Sequence, residues 1–300
     1  MPDPEAHKDY KIVDCHVHVF PEEFRRQRQE LCLRDPGFQS IYGDPRAKMA
    51  TAQEILEQMR QVGASSAVVF GFPWRDPGLC RAHNDYIAEL TSSAHNQLVG
   101  LGCLSPVWGR KGLREAARCL EMGLRGIGEI ALYHARSSLF NSFFMALAEL
   151  LASHGEPLVL HVTESVGHSY PGKDRTDLEE LYRWILAHQE LDLVLAHWGG
   201  GILFYELMPE VRRAFQRVLY DTAASPFLYS PEIYKVAFEI LGPGKVMFGS
   251  DFPLINQGRY IKELEAVGLP KKALRGILGE NAARLWKIPW GDRKEEPWAP

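Results

Sequence analysis

The chain has 300 residues, of which 46% are hydrophobic and 24% charged, and its formal net charge is −4. This composition is typical of a globular protein that is long enough to bury a large core without disulfides. The slightly acidic balance and the absence of a long basic tract argue against a nucleic-acid partner.

Eight short apolar segments, rich in β-branched residues, predict strands. Their nearly continuous hydrophobicity is typical of parallel strands that helices cover. In chain order the segments are KIVDC, SAVVFG, LVGLGCL, LRGIGEIAL, PLVLHV, LDLVLAH, RVLYDT and KVMFGS.

Helical patterns lie between these segments. The first begins at Thr51, a plausible N-cap; Glu54 completes a capping-box pattern, and Gly63 ends the helix. The further helices are predicted over Leu79 to His95, Gly109 to Met122, Leu139 to His154, Thr176 to Gln189, Ile202 to Phe215, Pro231 to Leu241, Arg259 to Val267 and Lys271 to Trp286.

Eight successive βα units predict an α/β fold, a distorted (β/α)8 TIM barrel, as a single domain over residues 1–300. The last helix, Lys271 to Trp286, is expected as an extra C-terminal helix on the outside of the barrel. A doubly wound open sheet is the alternative, but no G-x-G-x-x-G motif follows a strand.

Two segments fall outside the βα pattern. Residues 19–50 form a long loop between the first strand and the first helix, on the face where barrel active sites lie. Long loops in compact domains are functional or disordered. The charged, proline-containing tail, residues 289–300, is expected to be loose.

The strongest local motif is His16-Val17-His18 in the first strand. Side chains alternate across a strand, so both imidazoles point to the same side while Cys15 and Val17 face the helices. Two imidazoles at the C-terminal end of a barrel strand are well placed to chelate a metal. Asp14, one layer deeper, either orients a ligand imidazole or is a buried structural residue.

Residues of metal-binding type also lie in four other strand segments. Glu129 lies in the fourth, His161 ends the fifth, His197 ends the sixth and Asp251 ends the eighth. A barrel brings these distant positions together. Imidazoles with carboxylates suit zinc, and also iron, manganese or nickel. The sequence therefore predicts a divalent metal site at the mouth of the barrel.

The cellular setting follows from the cysteines and from hydropathy. There are five cysteines, an odd number, and no C-x-x-C pair, which argues against a disulfide framework and favours a reducing compartment. The N-terminal sequence MPDPEAHKDY lacks the apolar core of a signal peptide, and no apolar run approaches the ~18 residues of a membrane helix. We expect a cytoplasmic protein without a membrane partner.

The order H-x-H, then Glu, His, His and Asp, resembles the amidohydrolase superfamily. The phrases HVTESVGHSYPGK, LAHWGGG, FGSDFPL and ILGENAARL resemble the amidohydrolase-related family in particular, which includes aminocarboxymuconate-semialdehyde decarboxylase and resorcylate decarboxylases. The resemblance extends from His16 to Leu285.

The resemblance implies roles for the strand-end residues. His16, His18 and His161 would be metal ligands, and Asp251 would be a ligand that also accepts a proton from the metal-bound water. His197 would bind a second metal or polarise the substrate.

Glu129 would bridge two metals or, in the alternative, form a hydrogen bond behind the ligands. The catalytic residues would thus be Asp251, His197 and Glu129. The expected cofactor is one or two divalent ions, most simply zinc.

Two loops on the catalytic face supply candidate substrate contacts. Arginine and lysine there could hold a substrate carboxylate, and an ordinary role in a surface loop is the alternative for each residue. The candidates are Trp74 and Arg75 after the second strand, and His168, Tyr170 and Lys173 after the fifth.

Three functions are compatible with the sequence. Hydrolysis of a C–N or C–O bond in a small amide, lactone or ester is favoured, because a bridging Glu129 would support a metal-bound hydroxide. The alternative is non-oxidative decarboxylation of an aromatic or unsaturated carboxylic acid with the same metal set. A barrel used only for binding is the third. Family members are often dimers, so a homodimer is compatible with the sequence, although no feature requires it.

Overall fold

The structure is a computed structural model, and it describes residues 10–94, 97–131, 138–173 and 176–289. The strands occur in the predicted order, and every strand pairing in the two sheets is parallel. Their bounds are β1 (Ile12–His18), β2 (Ala64–Phe70), β3 (Leu98–Gly100), β4 (Ile127–Ile130), β5 (Leu158–Leu160), β6 (Leu193–Leu195), β7 (Val218–Asp221) and β8 (Val246–Met247).

The strands form two arcs that close on each other. One arc has the order β1-β2-β3 and the other the order β4-β5-β6-β7-β8. A bridge between Gly102 and Ile127 joins the arcs on one side, and a bridge between Val17 and Phe252 joins them on the other. The predicted (β/α)8 barrel is therefore confirmed.

Helices surround the barrel, and they vary in length. Their bounds are α1 (Glu22–Arg26), α2 (Arg28–Arg34), α3 (Pro36–Tyr42), α4 (Ala52–Val62), α5 (Pro77–Ser93), α6 (Arg110–Glu121), α7 (Ser142–His154), α8 (Leu178–Ala187), α9 (Pro209–Ala214), α10 (Ser225–Leu228), α11 (Ile233–Leu241), α12 (Gln257–Ala266), α13 (Lys271–Arg275) and α14 (Asn281–Trp286). Short 3-10 segments cover Pro106–Trp108 and His197–Leu207, and a π-helical turn covers Gly276–Glu280. Among the described residues, none of the helices is both long and apolar enough to cross a membrane.

The predicted boundaries of α4 are confirmed. The Thr51 side chain accepts a hydrogen bond from the Glu54 amide, and the Glu54 carboxylate accepts one from the Thr51 amide at 2.8 Å. Gly63 ends the helix with a left-handed φ of 69°, a conformation that glycine adopts without a steric cost.

Residues 19–50 are not the irregular loop that the sequence suggested. They contain α1, α2 and α3, and their aromatic side chains form a small core of their own with Phe72 and Trp74. Buried Asp35 caps α3 through the amides of Gly37 and Phe38 and also accepts from the Arg75 amide. The segment is therefore packed against the loop that follows β2.

Two predicted helices differ in the structure. The helix expected over Ile202 to Phe215 is divided into a 3-10 segment and α9, because Pro209 cannot continue a helix from its N-terminal side. The C-terminal helix is present, but Trp286 packs with the interior residues Val13 and Met247 and not on the outside of the barrel. Apart from Pro289, the predicted loose tail, residues 289–300, lies outside the described residues.

Candidate metal centre

Strand β1 brings His16 and His18 to the mouth of the barrel through a bulge. Asp14 pairs with Ala67 and Val17 with Val69, so that β1 has one residue more than β2 over this stretch. The two imidazole rings lie with their centroids 5.3 Å apart. Both also contact the ring of Phe70, at 4.9 and 5.0 Å.

The bulge changes the orientation of the neighbouring residues. Simple alternation predicted that Cys15 faces the surrounding helices. In the structure it instead belongs to the interior cluster that contains Val13 and Met247. Among the described residues, Asp14 makes no hydrogen bond to an imidazole. Its carboxylate accepts hydrogen bonds from the amides of His16 and Ser250, from the Ser250 hydroxyl and from the Gln257 side chain. Burial raises the pKa of Asp14 to about 6 despite these bonds. Asp14 is thus a structural residue that ties β1 to the chain after β8.

The other strand-end residues lie around the two histidines. Oε1 of Glu129 lies 2.8 Å from Nδ1 of His161 and 3.1 Å from Nε2 of His197. Oδ1 of Asp251 lies 3.4 Å from Nε2 of His18 and 3.8 Å from Nε2 of His16. All six residues predicted as metal ligands therefore converge on one region, which we call the strand-end cluster: His16, His18, Glu129, His161, His197 and Asp251.

Within the strand-end cluster, three sets of side chains have ligand atoms within 4.8 Å of one another. These sets are His16, His18 and Glu129; His16, His197 and Asp251; and Glu129, His161 and His197. His16, Glu129 and His197 each occur in two sets, so that the geometry has room for one ion or for two that share ligands.

The backbone has unusual φ values at the two cluster residues that follow β6 and β8. His197 and Asp251 have left-handed φ values of 56° and 59°, which are uncommon for residues other than glycine and recur at functional sites. Gly200 allows the chain to pass close to β5, because a Cβ atom there would lie 2.5 Å from the carbonyl oxygen of Thr163. Trp198 is buried and donates a hydrogen bond to the Ser225 hydroxyl at 2.9 Å.

Burial and opposite charges compete in setting the pKa values. Burial alone would lower the pKa of His16 and His197. The charges of Asp221 and Glu129 nevertheless raise that of His16 to about 9, and Glu129 raises that of His197 to about 10. Burial would raise the pKa of Asp251, yet its hydrogen bond with His18 and the charge of His16 lower it to about 2. The raised pKa values of His16 and His197 beside ionised Glu129 and Asp251 create an arrangement in which a cation can replace the protons.

The donor atoms fit a divalent metal. Nε2 of His16 and Nδ1 of His18 are buried and have no hydrogen-bond partner among the described residues. Nε2 of His16 lies 3.9 Å from Glu129 and 3.8 Å from Asp251, beyond hydrogen-bond distance. A buried nitrogen without a partner is costly unless something else satisfies it, and imidazole with carboxylate is a donor set for first-row divalent ions.

Sequence reasoning missed Asp221, the last residue of β7. Its Oδ2 accepts from Nδ1 of His16 at 2.9 Å, and its Oδ1 accepts from the amides of His197 and Ala223 at 2.9 and 3.0 Å. The signal was present, because an aspartate ends a predicted strand just as His161 does.

The residues predicted to contact the substrate differ in how far they are exposed to solvent. Trp74 is fully buried in the small aromatic core and donates to Nδ1 of His83 at 3.0 Å. Its predicted contact with substrate is therefore incompatible with this conformation, because surrounding aromatic rings occupy its faces. Arg75 is exposed, and its amide, not its guanidinium, makes the contact with Asp35 at 2.7 Å.

The loop after β5 is folded on itself. The Lys173 ammonium donates to the carbonyls of Val166 and His168, at 2.6 and 2.9 Å, and the Tyr170 hydroxyl donates to Glu164 at 2.8 Å. His168 is exposed. Nε2 of His161 lies 2.9 Å from the carbonyl oxygen of Gly172, which joins this loop to the strand-end cluster. His134, near the end of the fourth predicted strand, lies outside the described residues.

Comparison with known proteins agrees with the fold. The family model described as amidohydrolase matches residues 13–288. A 6-methylsalicylic acid decarboxylase of Penicillium expansum is 23% identical over 316 aligned positions, covering 91% of this chain and 95% of that protein.

Two solved structures share the fold. A 5-carboxyvanillate decarboxylase of Sphingomonas paucimobilis superposes with a TM-score of 0.75 at 19% identity, covering 94% of this chain and 100% of that one. A 5-carboxyvanillate decarboxylase of Novosphingobium aromaticivorans, complexed with manganese and 4-hydroxy-3-methoxy-5-nitrobenzoic acid, gives 0.74 at 16% identity, with 94% and 98% covered.

These relatives are decarboxylases, and this finding overturns the hydrolysis favoured from the sequence. The error came from Glu129, whose presence was interpreted as support for a metal-bound hydroxide. In the structure its carboxylate is bonded to two imidazoles, which is equally compatible with other chemistry. The match of the family model over residues 13–288 covers nearly the whole chain. The chain therefore belongs to the amidohydrolase family and is an enzyme of the amidohydrolase superfamily.

Proposed function

We propose that this enzyme is a metal-dependent decarboxylase that removes CO2, without an oxidant, from a small aromatic or unsaturated carboxylic acid. The observation that carries the proposal is the similarity to 6-methylsalicylic acid decarboxylase, which covers 91% of this chain and 95% of that protein. The strand-end cluster supplies the matching chemistry, because it offers both metal ligands and a proton donor.

The proposed ligands of a first ion are His16, His18, His161 and Asp251. Glu129 and His197 lie close enough to His161 to complete a second site, at 2.8 and 3.1 Å. A bound divalent ion supplies positive charge that polarises a carboxylate or phenol oxygen.

The chain itself must handle one proton. Decarboxylation breaks the bond between a substrate carbon and the carboxyl group; CO2 leaves, the electron pair remains on carbon, and a proton must reach that carbon. When only the first ion is bound, Nε2 of His197 is not a ligand, and we assign this proton to it. That nitrogen lies 3.1 Å from Glu129, which raises the pKa of His197 to about 10. Asp251, with its pKa lowered to about 2 by His18 and His16 against the effect of burial, stays ionised and stabilises the protonated imidazole.

The test is CO2 release from 6-methylsalicylate, 2,6-dihydroxybenzoate and 5-carboxyvanillate, with a lactone and an amide as comparison substrates. We expect CO2 and the decarboxylated ring from at least one of the acids. Acid release from the lactone or amide, with no CO2 from any acid, would overturn the proposal.

A pair of variants locates the chemistry. His197→Gln should lower CO2 release by about 10²–10⁴-fold, the usual effect of losing a general acid. His154→Gln makes the same change at the exposed end of α7 and should leave the rate unchanged. Equal rates in both variants would contradict the assignment of the proton to His197.

The identity of the metal is a finer part of the proposal. The sequence favours zinc, whereas one structural neighbour holds manganese. Elemental analysis of protein purified without chelators, followed by reloading with each ion alone, gives both the identity and the number of ions. One metal ion per chain would favour a hydrogen-bonding role for Glu129, and two ions per chain would favour a role in which its carboxylate bridges them.

Two further predictions concern the protein in the cell. A cytoplasmic location agrees with five free, buried cysteines, and a homodimer remains compatible with the sequence. Fractionation of cells and light scattering of the purified protein test them separately.

A further inference from the structure

We propose that Asp221 is a positioning residue that fixes the tautomer of His16, so that Nε2 and not Nδ1 of that ring is offered to the metal. The inference deepens the proposed function and rests on its metal centre. It depends on how the two oxygens of one buried carboxylate are used.

The two oxygens of Asp221 have different partners. Oδ1 accepts from the backbone amides of His197 and Ala223 at 2.9 and 3.0 Å. Backbone amides only donate, so this oxygen can only be an acceptor. Oδ2 lies 2.9 Å from Nδ1 of His16, and the side chains of both residues are fully buried. The orientation of the carboxylate is therefore set by the backbone and not by His16.

This arrangement decides where the proton of His16 lies. An ionised carboxylate has no proton to donate, so Nδ1 of His16 must donate to it. In the neutral ring the lone pair is then on Nε2, which is buried without a hydrogen-bond partner among the described residues. That nitrogen faces Glu129 and Asp251 at 3.9 and 3.8 Å. Asp221 thus presents a metal-binding nitrogen to the cluster.

The same carboxylate also places His197. Asp221 accepts a hydrogen bond from the backbone amide of His197, whose φ of 56° is left-handed. The carbonyl oxygen of Ala223, whose amide Asp221 also holds, lies 3.1 Å from Nδ1 of His197. Nε2 of His197 then faces Glu129 at 3.1 Å. One residue at the end of β7 therefore orients imidazoles from both β1 and β6.

The experiment is Asp221→Asn. The two backbone amides will hold the amide oxygen in place, which turns the NH2 group towards Nδ1 of His16. Nδ1 must then accept, the ring proton moves to Nε2, and that nitrogen can no longer bind metal. We expect zinc affinity, measured by chelator competition, to fall by about 10–100-fold, the usual effect of losing a partner behind a metal ligand.

Asp14→Asn is the matched control. Asp14 is an equally buried carboxylate, but it contacts His16 only through the backbone amide. Its new NH2 group can donate to Gln257, whose Oε1 has no hydrogen-bond partner among the described residues, once that side-chain amide rotates. We expect its zinc affinity to stay within about threefold of wild type, far from the loss that follows removal of a partner behind a ligand.

The outcomes separate the inference from the metal centre itself. Zinc affinity equal to wild type in Asp221→Asn would overturn the inference alone, and failure of the wild type to bind zinc or manganese would overturn the metal centre with it. If the variant does not fold, nitrogen NMR of the zinc-loaded wild type decides. A proton on Nδ1 of His16 with zinc on Nε2 supports the inference, and zinc on Nδ1 overturns it.

Discussion

Oε1 of Glu129, on β4, lies 2.8 Å from Nδ1 of His161, which directly follows the adjacent strand β5 and is 32 positions away in the chain. The carboxylate occupies the space between β4, β5 and β6, where it also reaches His197. Burial would raise the pKa of Glu129, but the charges of His161 and His16 hold it well below its ordinary value. Glu129 is the main cause of the raised pKa of His197, and it contributes after Asp221 to that of His16.

Glu129→Gln should consequently change how its neighbours hold protons. The amide keeps the size of the side chain but removes its charge. We expect the pKa of His197 in the metal-free variant to fall from about 10 back towards the ordinary 6.5. Histidine NMR titration measures this change.

Glu164→Gln is the control for this variant, because Glu164 accepts from Tyr170 and makes no hydrogen bond to His197 in the described part of the chain. A pKa of His197 that stays near 10 in Glu129→Gln would show that other charges, those of Asp251 and Asp221, dominate.

The stability of the metal-free protein should depend on pH in a defined direction. The folded-state pKa values of His16 and His197, about 9 and about 10, lie above the ordinary 6.5. Their contribution to stability is therefore fully present below pH 6.5 and is lost as the pH rises through 9 and then 10. We expect the melting temperature of chelator-treated protein to fall over that interval.

The difference from His197→Gln isolates the contribution of that residue, because all other titrating groups are shared. Metal binding should show the opposite trend, since protons and the ion compete for the same nitrogens and affinity rises with pH. A difference curve that is flat between pH 7 and pH 10 would contradict the raised pKa of His197.

The parts of the fold that were predicted correctly rest on local signals. The capping box of Thr51 and Glu54 depends on residues only three positions apart in the chain. The strand order follows from the order of the apolar segments along the chain. The small aromatic core is different. The rings of Phe38 and Trp74, which are 36 positions apart in the chain, are in contact with their centroids 4.6 Å apart. No periodicity in the sequence indicates such a contact.

The strand-end cluster shows the same division. Its six residues were identified because barrel topology brings strand ends together. Of the two roles predicted for Asp14, the buried structural one is confirmed. The orientation of Cys15 was predicted wrongly, because the alternation rule assumes an unbroken register and β1 contains a bulge. A one-residue insertion moves side chains to the other face, and nothing in the sequence marks the bulge.

Gly249→Ala tests how tightly the cluster is packed. A Cβ atom at Gly249 would lie 2.8 Å from Cβ of His16 and 3.4 Å from Cβ of Asp221. We expect a loss of about 1–3 kcal/mol in the free energy of unfolding, as for other overpacked cores, together with weaker zinc binding because His16 is displaced.

Gly244→Ala provides the comparison for that variant, since its nearest neighbour would be the end of Arg284 at 4.0 Å. Thermal melts and chelator competition on both variants give the result. Unchanged zinc affinity in a destabilised Gly249→Ala protein would mean that the histidine can move without loss of the site.

In the structure the Lys173 ammonium stabilises its own loop, whereas the sequence predicted that it binds a substrate carboxylate. It donates to two carbonyls of its own loop, and His161 contacts the same loop at Gly172. We expect Lys173→Met to loosen the loop, seen as faster proteolysis near exposed His168, with a rise in KM below about tenfold, the effect of losing about 1.4 kcal/mol of binding.

Lys173→Arg keeps the charge but not the compact three-donor geometry of the ammonium. If Lys173 serves the loop, the arginine variant should also be cleaved faster than wild type. If it binds the substrate carboxylate directly, arginine should preserve KM, whereas methionine should raise it about a hundredfold or more with little change in proteolysis. That second pattern would return Lys173 to the substrate site predicted from the sequence.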